Sequence, residues 1–516
     1  MPGQPASPDP LILARTASEY DAIPYLSKPF AQSHPGHLAA TAQLLGLDPP
    51  DVAGARVLEL GGASGGNLIP FAASHPGATC KVIDIGPRQV AEGRARADAM
   101  GLANFTIDCA SLTDLGAGIG HWDYVIAHGV YSWVSAPVRE ALLRLAGSVL
   151  APGGVMYLSY NVLPGWRMAQ PARDAIRALV PEHLDAQTRV RVARDLLALA
   201  QRRMVNADLY VEQLKRTAAH LLERSDDFLF HDFMEHENEP FLFFEVMTAA
   251  DRHGLSFLAE ADLCTGFDEN FGADFVADVR PRTGGEALPW EALFDVLSGR
   301  TFRQSLLVRA ADAARIDRAI PPDRLDGLDL LVARGAGIAI EPGTLRASSP
   351  HGLHFSIPGD PAANLGRRLL AAAPGSLAVA DALRGVAQIE RARYLQTIVR
   401  LLTAGVLIAT ASPMRTARAA ARPIASRIAR ADAAAGNPRT TNARHESILL
   451  EPEMLLLLPA LDGTADHAAL AGLLARAMAT GLVEPPDGID PGDQAAVAAL
   501  VPGWLDGIAG LGLLEG

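Results

Sequence analysis

Between residues 56 and 67 the chain reads Arg56-Val57-Leu58-Glu59-Leu60-Gly61-Gly62-Ala63-Ser64-Gly65-Gly66-Asn67. The first half is a short apolar run, which is typical of a buried strand in a parallel sheet. The glycines that follow predict a turn, because glycine adopts backbone angles that other residues resist. A helix that begins after this turn would point its free N–H groups back at it. We therefore expect a strand–turn–helix unit that binds a ligand at the carboxyl edge of a parallel sheet.

The spacing within the turn discriminates between ligands. The dinucleotide fingerprint G-x-G-x-x-G is not met, because the third position counted from Gly61 is Ala63. The spacing Glu59-x-Gly61-x-x-x-Gly65 instead resembles the E-x-G-x-x-x-G signature of class I S-adenosylmethionine (SAM) methyltransferases. A second predicted strand carries Asp84 at the position where a carboxylate accepts hydrogen bonds from ribose hydroxyls. NAD-binding proteins share this combination, so an NAD-binding oxidoreductase stays open, as does a non-catalytic interaction protein that keeps the turn as a scaffold.

Composition limits the class of protein. A chain of 516 residues is too long for one core and predicts roughly two to four domains. Hydrophobic residues make up 49% of the chain, which indicates a globular protein. The net charge of −13 disfavours a nucleic-acid partner, because phosphate binding requires a basic surface.

Cysteine usage and hydropathy predict a cytoplasmic location. Cys80, Cys109 and Cys264 are widely spaced and suggest neither a metal site nor a disulfide framework. No apolar run reaches the roughly 18 residues of a membrane span. The first ten residues lack the basic and apolar regions of a signal peptide.

Alternating strands and helices after residue 50 predict the fold class, α/β with a doubly wound, mostly parallel Rossmann-like sheet. The predicted strands cover residues 56–60, 80–85, 104–109, 124–127 and 155–160, and a sixth covers 255–258. We assign residues 51–280 to this domain. Within it, residues 173–224 predict a helical insertion, too long for one crossover, that pairs subunits in a homodimer or caps the site.

Two further segments have alternative interpretations. Residues 1–50 form an N-terminal strap and helix, with a helix at 37–47, and the strap either packs on the sheet or closes over the site. Residues 231–239 are dense in histidine and acid. Metal ligation is one interpretation, but the spacing is not H-E-x-x-H, and a solvated or substrate-facing loop is the alternative that we favour.

The C-terminal half changes character. Residues 281–413 predict a winged-helix-like middle domain, 414–446 an arginine- and alanine-rich linker, and 447–516 a C-terminal helical domain. We expect the region after 280 to hold a protein substrate or to brace the catalytic domain. The cofactor pocket would then consist wholly of the first five strands, and truncation after Arg280 would leave SAM binding largely intact.

Several motifs together resemble one family, the bacterial class I methyltransferases that carry a methyltransferase regulatory domain. The resemblance rests on residues 20–35, 57–70, 128–134, 159–166, 300–307 and 461–464. The family includes rickettsial enzymes that methylate lysines of outer-membrane proteins, so the resemblance implies SAM as the cofactor and protein lysine as the substrate. A small-molecule methyltransferase remains an alternative. Gly62 departs from the cysteine that is frequent in the family, which we expect to be harmless, and Ser111 from the aspartate that contacts adenine.

The cofactor and catalytic residues follow from these motifs. The expected cofactor-binding residues are Glu59, Gly61, Gly62, Ala63, Gly65, Asn67, Asp84, Ser111 and His128. Methyl transfer needs mainly alignment of the acceptor lone pair behind the methyl group, and desolvation favours loss of the lysine proton. The expected catalytic residues end strands four and five: His128, Tyr131, Tyr160, Asn161 and Trp166, with Trp133 beside them. His128 is a candidate general base, and the aromatic residues either surround the substrate cation or only pack.

Overall fold

The computed structural model describes residues 27–203 and 208–515. Its centre is a seven-stranded sheet in the order β3-β2-β1-β4-β5-β7-β6. The strands are β1 Arg56–Leu60, β2 Thr79–Asp84, β3 Phe105–Cys109, β4 Trp122–Ala127, β5 Leu150–Asn161, β6 Leu255–Glu260 and β7 Phe302–Arg309. The first five are parallel, and β7 runs antiparallel to both β5 and β6. The predicted doubly wound α/β fold is confirmed.

Helices cover both faces of the sheet, which explains why its central strands are largely buried and rich in apolar residues. All six residues of β4 are buried. The helices of the sheet domain are α1 Pro35–Leu44, α2 Leu68–Ser74, α3 Pro87–Ala99 and α4 Ala136–Val149. Residues 27–34 precede α1 and cross the glycine-rich turn, while the predicted strap residues 20–26 lie outside the described part of the chain.

The predicted helical insertion at about 173–224 consists of four helices, the last of which lies beyond residue 224 and ends at Phe233. These are α5 Gln170–Leu179, α6 Ala186–Arg203, α7 Leu209–Leu222 and α8 Asp226–Phe233. They enclose a core of their own, which includes Trp166, Ile176, Leu197 and Phe230. The insertion is therefore a small helical unit packed at the end of β5.

The predicted boundary of the sheet domain at residue 280 is wrong. After the insertion follow α9 Phe243–Asp251, α10 Ala273–Thr283 and α11 Ala287–Ser298, and only then β7. β7 lies in the central sheet between β5 and β6. Its Arg303 makes the strand look like a surface strand, but this side chain is fully buried between Glu260, Glu291 and Asp295. Sequence alone does not reveal such a buried ion cluster.

The middle domain follows directly. It contains α12 Ala310–Ala313, β8 Asp329–Val332, β9 Gly337–Glu341, β10 Thr344–Ser348, β11 His354–Pro358, α13 Asp360–Ala372, β12 Leu377–Ala378, α14 Val379–Ala382, α15 Gln388–Thr403 and β13 Leu407–Thr410. Its strands form two small antiparallel sheets, β11-β10-β9 and β12-β8-β13.

The C-terminal domain begins earlier than predicted, because residues 414–446 are not a simple linker. They include α16 Arg427–Ala434 and β14 Arg439–Thr441, and are followed by β15 Ser447–Leu449, α17 Pro452–Leu457, α18 His467–Ala479 and α19 Gln494–Gly510. In α16, Ile428, Ala429, Asp432 and Ala433 are buried. The buried face of α16 thus consists partly of small alanine side chains. A stretch rich in alanine and arginine therefore looks like a linker in the sequence, although it packs against the domain. In the described ranges, none of the helices is both long enough and apolar enough to span a bilayer.

Candidate functional site

A cavity of about 770 Å³ opens at the carboxyl ends of the parallel strands. Most of the predicted site residues line it, namely Glu59, Gly61, Gly62, Ala63, Asn67, Asp84, His128, Trp133, Asn161 and Trp166. Thr301 and Phe302, at the start of β7, line it as well. The cavity as a whole is thus not built from the first five strands alone.

The turn after β1 requires glycine both for its backbone angles and because neighbouring side chains leave no room for a Cβ. Gly61 has φ +72°, and a Cβ there would lie 2.5 Å from Val130 Cγ2. A Cβ on Gly62 would lie 2.7 Å from Val82 Cγ1 and 2.9 Å from Glu59 Oε2. A side chain at position 62 would therefore force its neighbours in this chain to move, which the glycine that departs from the family pattern avoids.

Asp84 holds the turn from the end of β2. Its Oδ2 accepts a hydrogen bond of 2.8 Å from the Ala63 amide, and its Oδ1 one of 2.8 Å from the Gly86 amide. Burial raises the pKa of this carboxyl, against the lowering effect of these amides. Each carboxylate oxygen keeps a further lone pair. Asp84 can therefore support the turn and still accept hydrogen bonds from ribose hydroxyls.

Glu59 is an acid with one unsatisfied oxygen. Asn67 Nδ2 donates to Glu59 Oε1 at 2.8 Å, whereas Oε2 is buried and has no hydrogen-bond partner within the described residues. Burial raises the pKa of this carboxyl to about 8, and the charge of Asp84 adds to the effect. A buried oxygen without a partner is costly. A cationic ligand group in the cavity would satisfy it, and the ammonium of a SAM methionine portion fits that requirement.

Asn67 connects the turn to distant parts of the chain. Its Oδ1 accepts hydrogen bonds from the Phe30 amide at 2.9 Å and lies 3.0 Å from His445 Nε2. Ser27 Oγ accepts from the Gly66 amide at 2.8 Å. Sequence reasoning missed His445, which lies almost 380 residues after Asn67 and belongs to no motif that we identified. The C-terminal domain thus reaches the residues that orient Glu59.

His128 lies in the cavity, but its surroundings make it a weak base. The Phe30 ring stacks on it with centroids 3.6 Å apart, and its Nδ1 lies 2.9 Å from the Tyr157 hydroxyl. Burial, together with the charge of Lys28, lowers the pKa of His128 to about 3. A general base works best with a pKa near the working pH. The candidate role of His128 as base is therefore not favoured, whereas a role in lining the cofactor pocket is.

Four predicted site residues do not line the cavity. Tyr160 is fully buried with its hydroxyl 3.1 Å from Ser305 Oγ, because its side chain leaves β5 on the face opposite to Asn161. Tyr131 packs beneath it in the core. Ser111 accepts from the Thr113 amide as the cap of a short turn. Gly65 faces the ring of Phe105.

The insertion supplies the far wall of the cavity, which agrees with the alternative that it caps the site, although sequence reasoning did not identify the individual residues. The residues involved are Gln213, Arg216, Thr217, His220, Leu221 and Arg224 from α7 and its end, and Phe228, His231, Asp232 and Phe233 from α8. Their only sequence signal was the density of histidine and acid at 231–239. Of the two interpretations of that stretch, the substrate-facing one agrees with this position.

Metal ligation receives no support at 231–239. His231 Nδ1 lies 3.0 Å from Glu235 Oε1, so these two side chains contact each other. Within residues 27–203 and 208–515, the group of possible metal ligands that lie close together is Asp262, Cys264 and His351, outside this stretch.

Comparisons with known proteins agree with this geometry. Residues 57–154 match a family described as a methyltransferase domain, 225–309 a predicted methyltransferase regulatory domain, and 421–509 the C-terminal winged helix domain of PKMT. The structure of PKMT2 from Rickettsia typhi superimposes with a TM-score of 0.83 at 22% identity, covering 96% of this chain and 100% of that one. The same protein in complex with AdoHcy gives a TM-score of 0.82.

A sequence relative completes the comparison. An uncharacterized protein of Rickettsia prowazekii (strain Madrid E) is 33% identical over 313 residues, which is 60% of this chain. The match spans 56% of that relative, little more than half its length. The fold and the matched models identify residues 57–154 as a methyltransferase domain, followed by a predicted methyltransferase regulatory domain and a PKMT-type winged helix domain. The domain content of this chain is that of the family with a methyltransferase regulatory domain, which the sequence motifs had indicated.

Proposed function

We propose that the protein transfers the methyl group of SAM to the side-chain amine of lysine in a protein substrate. The observation that carries this proposal is the shape of the cavity. One half holds the acids Glu59 and Asp84 next to the glycine-rich turn, and the other half continues between the insertion helices and the ends of β4 and β5. The cavity therefore has room for a cofactor and, beyond it, for a second group.

The walls of the second half suit a lysine side chain. Trp133, Trp166, Phe228 and Phe233 provide apolar surface for its methylene stem, and Asp232 provides a carboxylate. The likeness to PKMT2 from Rickettsia typhi supports protein lysine over a small-molecule acceptor. The PKMT C-terminal winged helix domain supports it as well.

When bound, SAM supplies an electrophilic methyl group. This chain then has to bind the cofactor, align the amine and exclude water. Glu59 would hold the ammonium of the methionine portion of the cofactor, and Asp84 its ribose hydroxyls, through charge and hydrogen bonds. Phe30 closes the pocket over His128 and thereby reduces the access of water to the reacting atoms.

Transfer of labelled methyl tests the proposal directly. The full chain is incubated with methyl-labelled SAM and a bacterial protein extract, and the labelled residues are identified by mass spectrometry. Methyl-lysine is the expected product, and excess S-adenosylhomocysteine should suppress it. Label found only in small molecules would favour the alternative acceptor class, and binding of NAD without SAM would refute the cofactor assignment.

We further propose a homodimer formed through the insertion and a cytoplasmic location. The insertion carries exposed apolar side chains, with Leu179 62%, Leu199 53%, Leu209 89% and Tyr210 57% exposed. Burial of such side chains is a common basis of subunit pairing. All three cysteines are free, which fits a reducing compartment. Light scattering on the full chain, compared with a Leu209→Asp variant, measures the oligomeric state.

A further inference from the structure

Asp232 lies on the wall of the half of the cavity that we assign to the acceptor, near the end of α8. Its aromatic neighbours on the same helix, Phe228 and Phe233, line the same cavity. Within the described residues, the Asp232 carboxylate accepts no hydrogen bond, although its backbone carbonyl does. A carboxylate that lacks a hydrogen-bond donor away from bulk water is costly, and a cationic group in the cavity would provide that donor.

Two hydrogen bonds fix the position of Asp232 relative to the reaction site. Asn161, the last residue of β5, donates from Nδ2 to Asn238 Oδ1 at 2.8 Å. Asn238 in turn donates from its own Nδ2 to the carbonyl of Asp232 at 2.7 Å. Since Asn161 lines the cavity at the carboxyl end of β5, this chain holds Asp232 against the edge of the sheet where the methyl group is expected.

The charged groups around Asp232 come from three helical segments. His231 and Asp227 lie on its own helix, Arg173 on α5, and Arg224 just after α7. The two arginines have other partners: Arg173 donates to the carbonyls of Glu235 and His236, and Arg224 to His220. Burial raises the pKa of Asp232 to about 7, an effect to which Asp227 adds and which His231 and the arginines oppose. The carboxyl therefore exchanges its proton near neutral pH.

We propose that Asp232 binds the ammonium group of the acceptor lysine and takes one proton from it before methyl transfer. This inference rests on the proposed function and adds the group that prepares the nucleophile. The lysine Nζ–H bond breaks, its electron pair stays on nitrogen, and the proton goes to an Asp232 oxygen. The nitrogen lone pair then forms the N–C bond while the C–S bond breaks and its electrons go to sulfur. Asp232 afterwards releases its proton to solvent.

A pair of bisubstrate probes tests the binding step without a known protein substrate. Both probes are analogues of SAM in which a nitrogen atom replaces the sulfur. This nitrogen bears an aminobutyl chain in one probe and a pentyl chain in the other. The two chains have similar length, but only the first ends in an ammonium. The measured quantity is the ratio of their affinities by calorimetry, in which contributions of the shared scaffold cancel.

We expect the wild-type chain to prefer the aminobutyl probe, and Asp232→Asn to reduce this preference about 10–100-fold, the range for a charge-assisted hydrogen bond. The preference should rise from about pH 6 to about pH 8 in the wild type and stay flat in the variant, because the carboxyl ionises near pH 7. Asp226→Asn is the matched control, since Asp226 starts the same helix and pairs with Arg194 outside the cavity.

The outcomes separate this inference from the proposed function. If Asp232→Asn binds S-adenosylhomocysteine like the wild type and keeps the same probe preference, Asp232 does not bind the ammonium. An equal loss in Asp226→Asn would also overturn the inference, because the effect would then come from the charge of the helix. Failure of the wild type to methylate lysine at all would instead refute the proposed function. Intact S-adenosylhomocysteine binding shows that each variant is folded.

Discussion

Glu59 gives the sharpest prediction, because its structure specifies both a direction and a magnitude. A pKa of about 8 means that at about pH 7 roughly 0.9 of the free protein carries a proton on this carboxyl. If the SAM or S-adenosylhomocysteine ammonium pairs with Oε2, the bound state keeps Glu59 ionised. Binding at about pH 7 should therefore release about 0.9 proton per site from Glu59.

The raised pKa of Glu59 also predicts how the stability of the folded protein depends on pH. Raising the pKa from 4.5 to about 8 corresponds to about 5 kcal/mol for ionising Glu59 in the free, folded protein. Because the folded pKa is the higher one, the folded state holds a proton that the unfolded state loses between these two values. Stability therefore decreases as the pH rises through this window. Glu59→Gln removes the titration, so the variant should lose less stability over the same window.

Calorimetry of S-adenosylhomocysteine binding in buffers with different ionisation enthalpies measures the released proton. The wild type should bind more tightly as the pH rises towards about 8, whereas Glu59→Gln should bind more weakly and without this contribution. The control is Glu92→Gln, an exposed glutamate that pairs with Arg88 on α3. Equal proton release in the wild type and Glu59→Gln would refute the assignment of Oε2 to the ligand ammonium.

Three further substitutions test other parts of the structure. Asp84→Ala should weaken S-adenosylhomocysteine binding by about 1.5–3 kcal/mol, the range for hydrogen bonds to a charged group, and unchanged affinity by calorimetry would exclude Asp84 as the ribose ligand. His445→Ala should weaken the same binding by about 0.5–1.5 kcal/mol through Asn67, although it lies in the C-terminal domain, and an unaltered affinity would contradict this connection. Arg303→Met removes the buried cation that pairs with Glu260, Glu291 and Asp295, of which Arg300 still contacts the last two, and should destabilise the protein by about 3–5 kcal/mol, which a melting temperature equal to that of the wild type would disprove.

The local part of the site could be predicted from the sequence. Glu59, the glycines and Asp84 lie within about 30 residues of one another, and a parallel β-α-β unit brings strand ends together whatever the rest of the chain does. The order of apolar runs and turns is likewise a local property, and the predicted strands lie close to the observed ones.

The other half of the cavity could not be predicted in this way. Tyr160 and Asn161 are adjacent in sequence and were both expected to face the methyl group, but consecutive side chains of a strand point to opposite faces. Which face meets the cavity depends on the register of β5 against β7, and therefore on residues 140 and more positions away. The position of Asp232 depends likewise on how the insertion folds back over the sheet.

The end of the sheet domain, predicted at residue 280, likewise could not be found from the sequence alone. The sequence predicts that truncation after Arg280 leaves SAM binding largely intact and reduces transfer to a protein substrate, but this truncation would remove β7, the strand that joins β6 to the parallel part of the sheet. The loss of this strand would uncover its neighbour β5, whose paired residues Met156, Tyr157 and Leu158 are fully buried in the core. We therefore now expect that truncation to disrupt the fold rather than only substrate binding.

The sequence by itself determined the fold class and the glycine-rich turn, because these depend on short-range spacing and on the apolar pattern of single strands, and its resemblance to one family implied the cofactor. Only the tertiary structure decided that Asn67 joins Glu59 to His445, that Phe30 covers His128, and that Asp232 faces the acceptor half of the cavity. Each of these contacts joins residues far apart in the chain. Their positions follow from packing of whole helices and domains, whose energy is spread over many side chains and leaves no local signature.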